Sequence, residues 1–207
     1  MQDGARIQWK QLGRLDDSFF AALGAKLFKL RDYTPIPLIL VILVFASPSA
    51  ASATIGTLAV ILGELIRIYS VAFIGSVSRT RNVSTTGNRL IIHGPFGVVR
   101  NPLYCGNFLI TMGFALYSGS LWIVGLAFAL FAFQYHAIVK FEEKLLLERF
   151  GRDFEDYRET VPAWVPKRLP ALNTIEWPDN FSPALRSERR SLLAMLVMFL
   201  ALILVSA

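Results

Sequence analysis

"IIHGPFGVVRNPLYCGN", residues 91–107, breaks an otherwise apolar chain with a histidine, three turn-formers and an Arg-Asn-Pro directly ahead of another apolar run. Pro102 suits the first turn of a helix, and Asn101 before it suits the cap. Gly94, Pro95 and Gly97 force a turn just upstream. The stretch therefore predicts a helix starting at Pro102, with His93, Arg100 and Asn101 gathered at its first turn. Free backbone N–H groups and the helix dipole there favour an anion. An ordinary capped re-entry into a membrane, with an arginine at headgroup level, explains the same residues without a ligand.

The surrounding composition says what kind of helix this is. Hydrophobic residues make up 54% of the 207 and charged residues 17%, against about a quarter charged in a typical soluble domain. The apolar residues are blocked into runs, which predicts an all-α, polytopic membrane helix bundle. Five spans can be drawn: Thr34 to Ala50, Ala53 to Val77, one from Pro102, one from the "YSGS" turn to Val139, and the last apolar run "SLLAMLVMFLALILVSA". Ahead of them "DDSFFAALGAKLFKL" spaces Phe19, Phe20, Leu23, Leu27 and Leu30 as an interfacial helix. Residues 1–33 thus form a cytoplasmic N-terminal segment and 34–207 the membrane domain. Residues 166–190, with their prolines, read as an irregular cytoplasmic connection.

Loop charges orient the bundle. Arg and Lys cluster before the first span, between the second and third, and between the fourth and fifth, while the other turns have none. This alternation predicts a cytoplasmic N-terminus and an outside C-terminus. The net charge of +6 is explained by anionic lipid headgroups rather than nucleic acid, since no separate polar domain is present to carry a nucleic-acid surface. One Cys and two His give neither a disulfide nor a metal cluster, and no cleavable signal peptide is visible.

A second polar cluster lies in "FQYHAIVKFEEKLLLERFGRDFEDYRETVPAWVP", where the fourth helix leaves the membrane. "YSGS" makes the third and fourth helices an antiparallel hairpin, so Glu142 and Glu143 fall near Arg100 and the 93–97 turn. Consecutive helical residues point about 100° apart. The two carboxylates therefore cannot share a target: one can meet a ligand's hydroxyls or ammonium while the other pairs with a cation. A solvated acidic helix face is the bland alternative.

"GPFGVVRNPLYCGN" followed by "EEKLLLERFGRDFEDYRETVPAWVP" closely resembles the isoprenylcysteine carboxyl methyltransferase family and the related phospholipid methyltransferases. Their pattern is G-x-Y-x-x-x-R-H-P-x-Y-x-G, then E-E, then F-G-x-x-Y-x-x-Y-x-x-x-V-P. The likeness covers residues 88–166. It implies a cofactor, S-adenosyl-L-methionine, in a cytoplasmic pocket, with His93, Gly94, Phe96, Arg100, Asn101, Tyr104, Glu142 and Glu143 as binding candidates. Arg100 would hold the cofactor's carboxylate. Two departures stand out: Phe96 replaces the family's Tyr, and Asn101 replaces its His. Phe150, Gly151, Phe154 and Tyr157 match the third element, read as a helix stop followed by packing aromatics.

Glu64 and Arg67, three residues apart inside the second span, lie on one side of that helix. They form either a mutually neutralising pair or a pair that orients the substrate's polar end, with Glu64 as a possible base. Cys105 reads as a packing residue, and Gly106 and Gly113 as flat surface for close helix approach. The implied reaction is methyl transfer to a lipid or lipidated amphiphile in the bilayer, isoprenylcysteine carboxyl O-methylation in the first instance, with Arg100 and Glu64 as candidate catalytic residues. N-methylation of a phospholipid headgroup is the alternative acceptor chemistry. A nicotinamide-dependent membrane reductase and a non-catalytic membrane scaffold are the other readings.

Overall fold

The computed structural model describes residues 19–74, 90–168 and 171–206. The Asp16-Asp17-Ser18 start signal and Arg79, Arg81 and Arg89 lie outside the described residues. Among the described residues the structure is all-helical. Helix α1 covers 19–30, and α2 (Ile36–Phe45), α3 (Ala50–Ile74), α4 (Pro95–Val98) and α5 (Pro102–Tyr117) follow. They are succeeded by α6 (Leu121–Phe150), α7 (Arg152–Thr160) and α8 (Ser182–Ser206).

The apolar helices come in the expected order, but their lengths differ from the sequence reading. Three of them, α3, α6 and α8, are long and apolar enough to cross a membrane. The ten residues of α2 reach only about 15 Å, and the sixteen of α5 about 24 Å, against a hydrocarbon core of about 30 Å. Helix α2 stops early because the Ser47-Pro48-Ser49 stretch interrupts it, Pro48 disfavouring helix at Ser47. Ser49 and Ser52 then exchange backbone N–H to side-chain hydrogen bonds of 2.9 and 3.1 Å and start α3. The 166–190 connection is also shorter than expected. Helix α8 begins at Ser182 with Pro183 in its first turn, so its charged N-terminal turns extend out of the apolar run.

The packing centres on α3 against α5. Gly56 faces Gly113, and Gly63 faces Gly106, in an antiparallel register. Seven-residue spacing on both helices puts each glycine pair on one seam, and the missing side chains let the backbones meet. Leu38, Ile42, Val60, Met112, Ala115 and Leu202 join α2, α3, α5 and α8 in a buried core. Leucine and isoleucine on the outer faces, Leu58 and Leu65 of α3 and Leu196 and Leu204 of α8 among them, stay exposed, as a lipid-facing surface requires.

At the end opposite the candidate site the two hairpin turns dock. The Ser47 N–H donates to Ser118 O at 2.9 Å. Gly119 takes φ +75°, and a Cβ there would lie 2.4 Å from Ser47 O. At the other end, α1 lies across α6 with Phe28 against Phe141 at 5.9 Å between ring centroids and Phe20 edge-on to His136 at 5.1 Å. The interfacial helix expected from its apolar spacing is therefore packed on the bundle.

Candidate functional site

The inner ends of α5 and α6 meet. Arg100, just ahead of α5, places Nη2 2.6 Å from Glu143 Oε1, and Nε donates to the same oxygen at 3.2 Å. Nη1 donates to the carbonyls of Arg158 at 3.0 Å and Val161 at 2.5 Å. Four donor contacts thus hold this side chain, which is 12% exposed. Arg100 is a tie between α6 and the chain after α7, and not the open hook for a carboxylate that the sequence suggested.

The start of α5 is covered in the same way. Arg100 N–H donates to Pro162 O at 2.8 Å and Asn101 N–H to Ala163 O at 3.3 Å. The Asn101 amide gives a further bond to Ala163 O at 3.1 Å and makes no side-chain cap on α5. The Pro162–Trp164 strap thus takes donors that an anion would have needed. It reaches this position because Gly151, at φ +53°, ends α6 and lets α7 fold back. Phe154 and Tyr157 of α7 are buried, and the Tyr157 hydroxyl donates to Phe96 O at 2.7 Å. Burial pushes the Tyr157 phenol up from its ordinary value, partly offset by Arg100.

The consecutive glutamates divide as their 100° separation requires. Glu143 is taken by Arg100, while Glu142, 7% exposed, lines a cavity of about 690 Å3. The Tyr104 phenol lines the same cavity beside the Glu142 carboxylate. Tyr104 is also 4.8 Å from the Tyr135 ring and 6.4 Å from that of Trp164. Arg31, whose guanidinium sits 4.2 Å over the Phe28 ring, lines the cavity beside Asn101 and Phe96. One level deeper come Arg67, Asn107, Tyr135 and Glu188, and beyond them the lining turns apolar with Ile42, Phe114 and Met198.

Of the sequence candidates, Phe96, Arg100, Asn101, Tyr104 and Glu142 line this cavity. His93 is exposed and edge-on to Phe73 at 5.7 Å, outside the lining. Gly94, at φ +59°, gives its N–H to Glu176 Oε2 at 2.8 Å, also outside it. Glu64 is buried beside Arg67, its Oε2 3.3 Å from Nε, and does not line the cavity, whereas Arg67 does. That geometry lets Glu64 hold the Arg67 guanidinium from the side away from the cavity lining.

Several polar lining residues escaped the sequence reading, among them Arg31, Asn107, Tyr135, Glu188 and Ser191. Asn107 had a signal, being a polar residue one helical turn beyond Tyr104. Glu188 had none, since only the unforeseen extension of α8 carries it to Arg67.

Where the start of α5 meets the end of α6, this all-helical bundle thus carries a cavity lined by polar side chains such as Glu142 and Arg31 and by apolar ones such as Ile42 and Met198. Residues 51–153 match the phospholipid methyltransferase family, one of a group of membrane methyltransferases that also includes the isoprenylcysteine carboxyl methyltransferases. The nickel-cobalt-cadmium resistance protein NccN of Alcaligenes xylosoxydans xylosoxydans is 30% identical over 119 residues, covering 58% of this chain and 52% of that protein. The cobalt-zinc-cadmium resistance protein CzcN of Cupriavidus metallidurans is 30% identical over 114 residues, 55% of this chain and 49% of that protein. The chain thus spans about half the length of the curated relatives it matches. No solved structure matches it.

Proposed function

We propose that this chain is an S-adenosylmethionine-dependent methyltransferase whose acceptor is an amphiphile embedded in the bilayer. The observation that carries the reading is the single cavity that runs from Glu142 and Arg31 to Ile42 and Met198. Its polar end suits the cofactor's groups. Glu142 can accept from ribose hydroxyls or the ammonium, the Tyr104 and Tyr135 rings face a cationic sulfonium, and Arg31 offers the carboxylate partner that Arg100 does not. When bound, that cofactor supplies an electrophilic methyl group, so the protein's task is positioning and exclusion of water. Tyr104 and Tyr135 wall the site beside Glu142, the Arg100–Glu143 tie closes the strap over the α5 start, and the aromatic walls keep the site dry.

The site lies on the cytoplasmic side in this reading, by the arginine and lysine distribution of the loops. The acceptor's polar end would enter beside Arg67, with its chain along the apolar lining between α2, α5 and α8. A carboxylate acceptor, as in isoprenylcysteine, needs no base. A phospholipid amine is the second reading, favoured by the family description of residues 51–153. In that reading Glu142, which lines the cavity, would take a proton from such an amine. The two relatives carry metal-resistance names. With one Cys and two His in the whole chain, we infer that a part in metal resistance would run through modified membrane lipid.

The experiment is transfer of labelled methyl from S-adenosylmethionine by purified protein to phosphatidylethanolamine or to a farnesylcysteine analogue. Label in either supports the reading and names the acceptor class. A folded protein that fails to bind S-adenosylhomocysteine would leave the scaffold reading in its place.

A further inference from the structure

The charges that line the cavity sort into pairs and a remainder. Arg67 is taken by Glu64 at 3.3 Å and Glu188 at 2.5 Å, and Arg100 by Glu143 at 2.6 Å. Asp32 and Arg190 are exposed. Arg31 and Glu142 remain. Among the described residues Glu142 has no ion pair, and the Arg31 guanidinium makes no hydrogen bond. Its Nε lies 3.9 Å from Asp32 Oδ1, too far for one. Arg31 and Glu142 line one cavity and act on each other electrostatically, yet no ion pair joins them.

Packing, in place of hydrogen bonds, sets where Arg31 stands. It directly follows α1, and Thr34 Oγ1 donates to its carbonyl at 3.2 Å in the turn toward α2. The guanidinium stacks 4.2 Å over the Phe28 ring. Stacking uses the flat face and leaves the edge, with its N–H donors, to a ligand. Phe28 is buried and meets Phe141, the residue before Glu142, at 5.9 Å between ring centroids. One turn earlier on α1, a Cβ on Gly24 would run into Ala137 O, so the two helices touch through backbone. That contact fixes α1 against α6 just ahead of Glu142, and with it the spacing of the two charges.

A cation and an anion held apart across a cavity suit a ligand that carries both charges on one carbon. A zwitterionic amino-acid end asks for no net charge from the site, only donors on one side and an acceptor on the other. We propose that Arg31 and Glu142 clamp the α-amino-carboxylate end of the cofactor, Arg31 through its N–H edge on the carboxylate and Glu142 on the ammonium. Phe28 is the positioning residue for Arg31. The proposal rests on the methyltransferase reading and narrows it. Recognition of the amino-acid end passes to the α1 segment, which lies outside the family-matched residues 51–153. A ligand without that end should then be indifferent to Arg31.

The test titrates the full chain in detergent micelles with S-adenosylhomocysteine and with 5′-methylthioadenosine, which keeps the nucleoside and sulfur but lacks the amino and carboxyl groups. Loss of a charge-assisted contact predicts roughly tenfold weaker S-adenosylhomocysteine binding in Arg31→Gln and a few-fold weakening in Phe28→Leu. Affinity for 5′-methylthioadenosine should stay at the wild-type value in both. Arg31→Lys keeps the charge and should recover part of the loss. Where 5′-methylthioadenosine binds too weakly to compare, the gap between Arg31→Lys and Arg31→Gln decides. Equal S-adenosylhomocysteine affinity in wild type and Arg31→Gln overturns the clamp. So does a parallel loss of both ligands, or a lysine variant no better than the glutamine one. Folded wild-type protein that binds no S-adenosylhomocysteine strikes the methyltransferase reading itself, whereas binding indifferent to Arg31 strikes the clamp alone.

Discussion

Gly63 of α3 and Gly106 of α5 meet backbone to backbone: a Cβ on Gly63 would lie 2.7 Å from Gly106 O, and one on Gly106 2.6 Å from Gly63 O. Arg67 Cγ and Ile110 Cγ1 also lie within 3 Å of these positions and could turn aside, but the two carbonyls are backbone and cannot, so an added methyl group must push the helices apart. Arg67, one turn past Gly63, and Asn107, next to Gly106, would lose their register with it. Gly63→Ala should therefore destabilise the protein by about 2–3 kcal/mol and lower its melting temperature in micelles. Gly125→Ala is the control. Nothing lies within 4 Å of a Cβ at Gly125, and gaining helix propensity there should stabilise by about 0.5–1 kcal/mol.

Arg100 predicts a local loss. Its guanidinium holds Glu143 and the carbonyls of Arg158 and Val161. Truncation leaves a mostly buried carboxylate and two carbonyls without that partner, which costs about 3–5 kcal/mol. Arg100→Ala should therefore raise amide hydrogen exchange and protease cleavage across 158–164 well above wild type, with α3 and α5 protected as before. Unchanged exchange in that strap would contradict its role as a tie.

Tyr157 gives a pH dependence. Burial raises its folded-state pKa above the ordinary value near 10. A group with a raised folded pKa adds stability that is full below the unfolded pKa and declines as pH rises through the folded one. Above about pH 10 the unfolded chain gives up this proton while the folded protein keeps it, so stability should fall with pH there. Tyr157→Phe should remove that part of the fall. At neutral pH it should cost about 1–2 kcal/mol, because Phe96 O loses its donor. Chemical denaturation of both proteins between pH 8 and 11 checks the sign.

Much of this was readable in the sequence because it depends on local rules. The apolar runs announced the helices, Pro102 and Gly151 marked a start and a stop, and the "YSGS" turn brought Glu143 to Arg100. The opposed directions of Glu142 and Glu143 followed from helix geometry alone. Side-chain saturation was not readable. Whether Arg100 would be free or fully engaged depended on where the Pro162–Trp164 strap settles, a tertiary fact with no local signature. The same holds for Glu188, which sequence spacing could not bring 121 positions back to Arg67. The short α2 was foreshadowed by Pro48, yet hydropathy counted its flanks as part of the span.

Glu142 faces a cavity of about 690 Å3 while its neighbour Glu143 is occupied by Arg100. Calorimetric titration of the purified protein with S-adenosylhomocysteine tests this most directly. The account predicts saturable binding to wild type, weakened at least tenfold in Glu142→Gln and only a few-fold in Glu143→Gln. No saturable heat with folded wild-type protein, or equal affinity in wild type and Glu142→Gln, would contradict it.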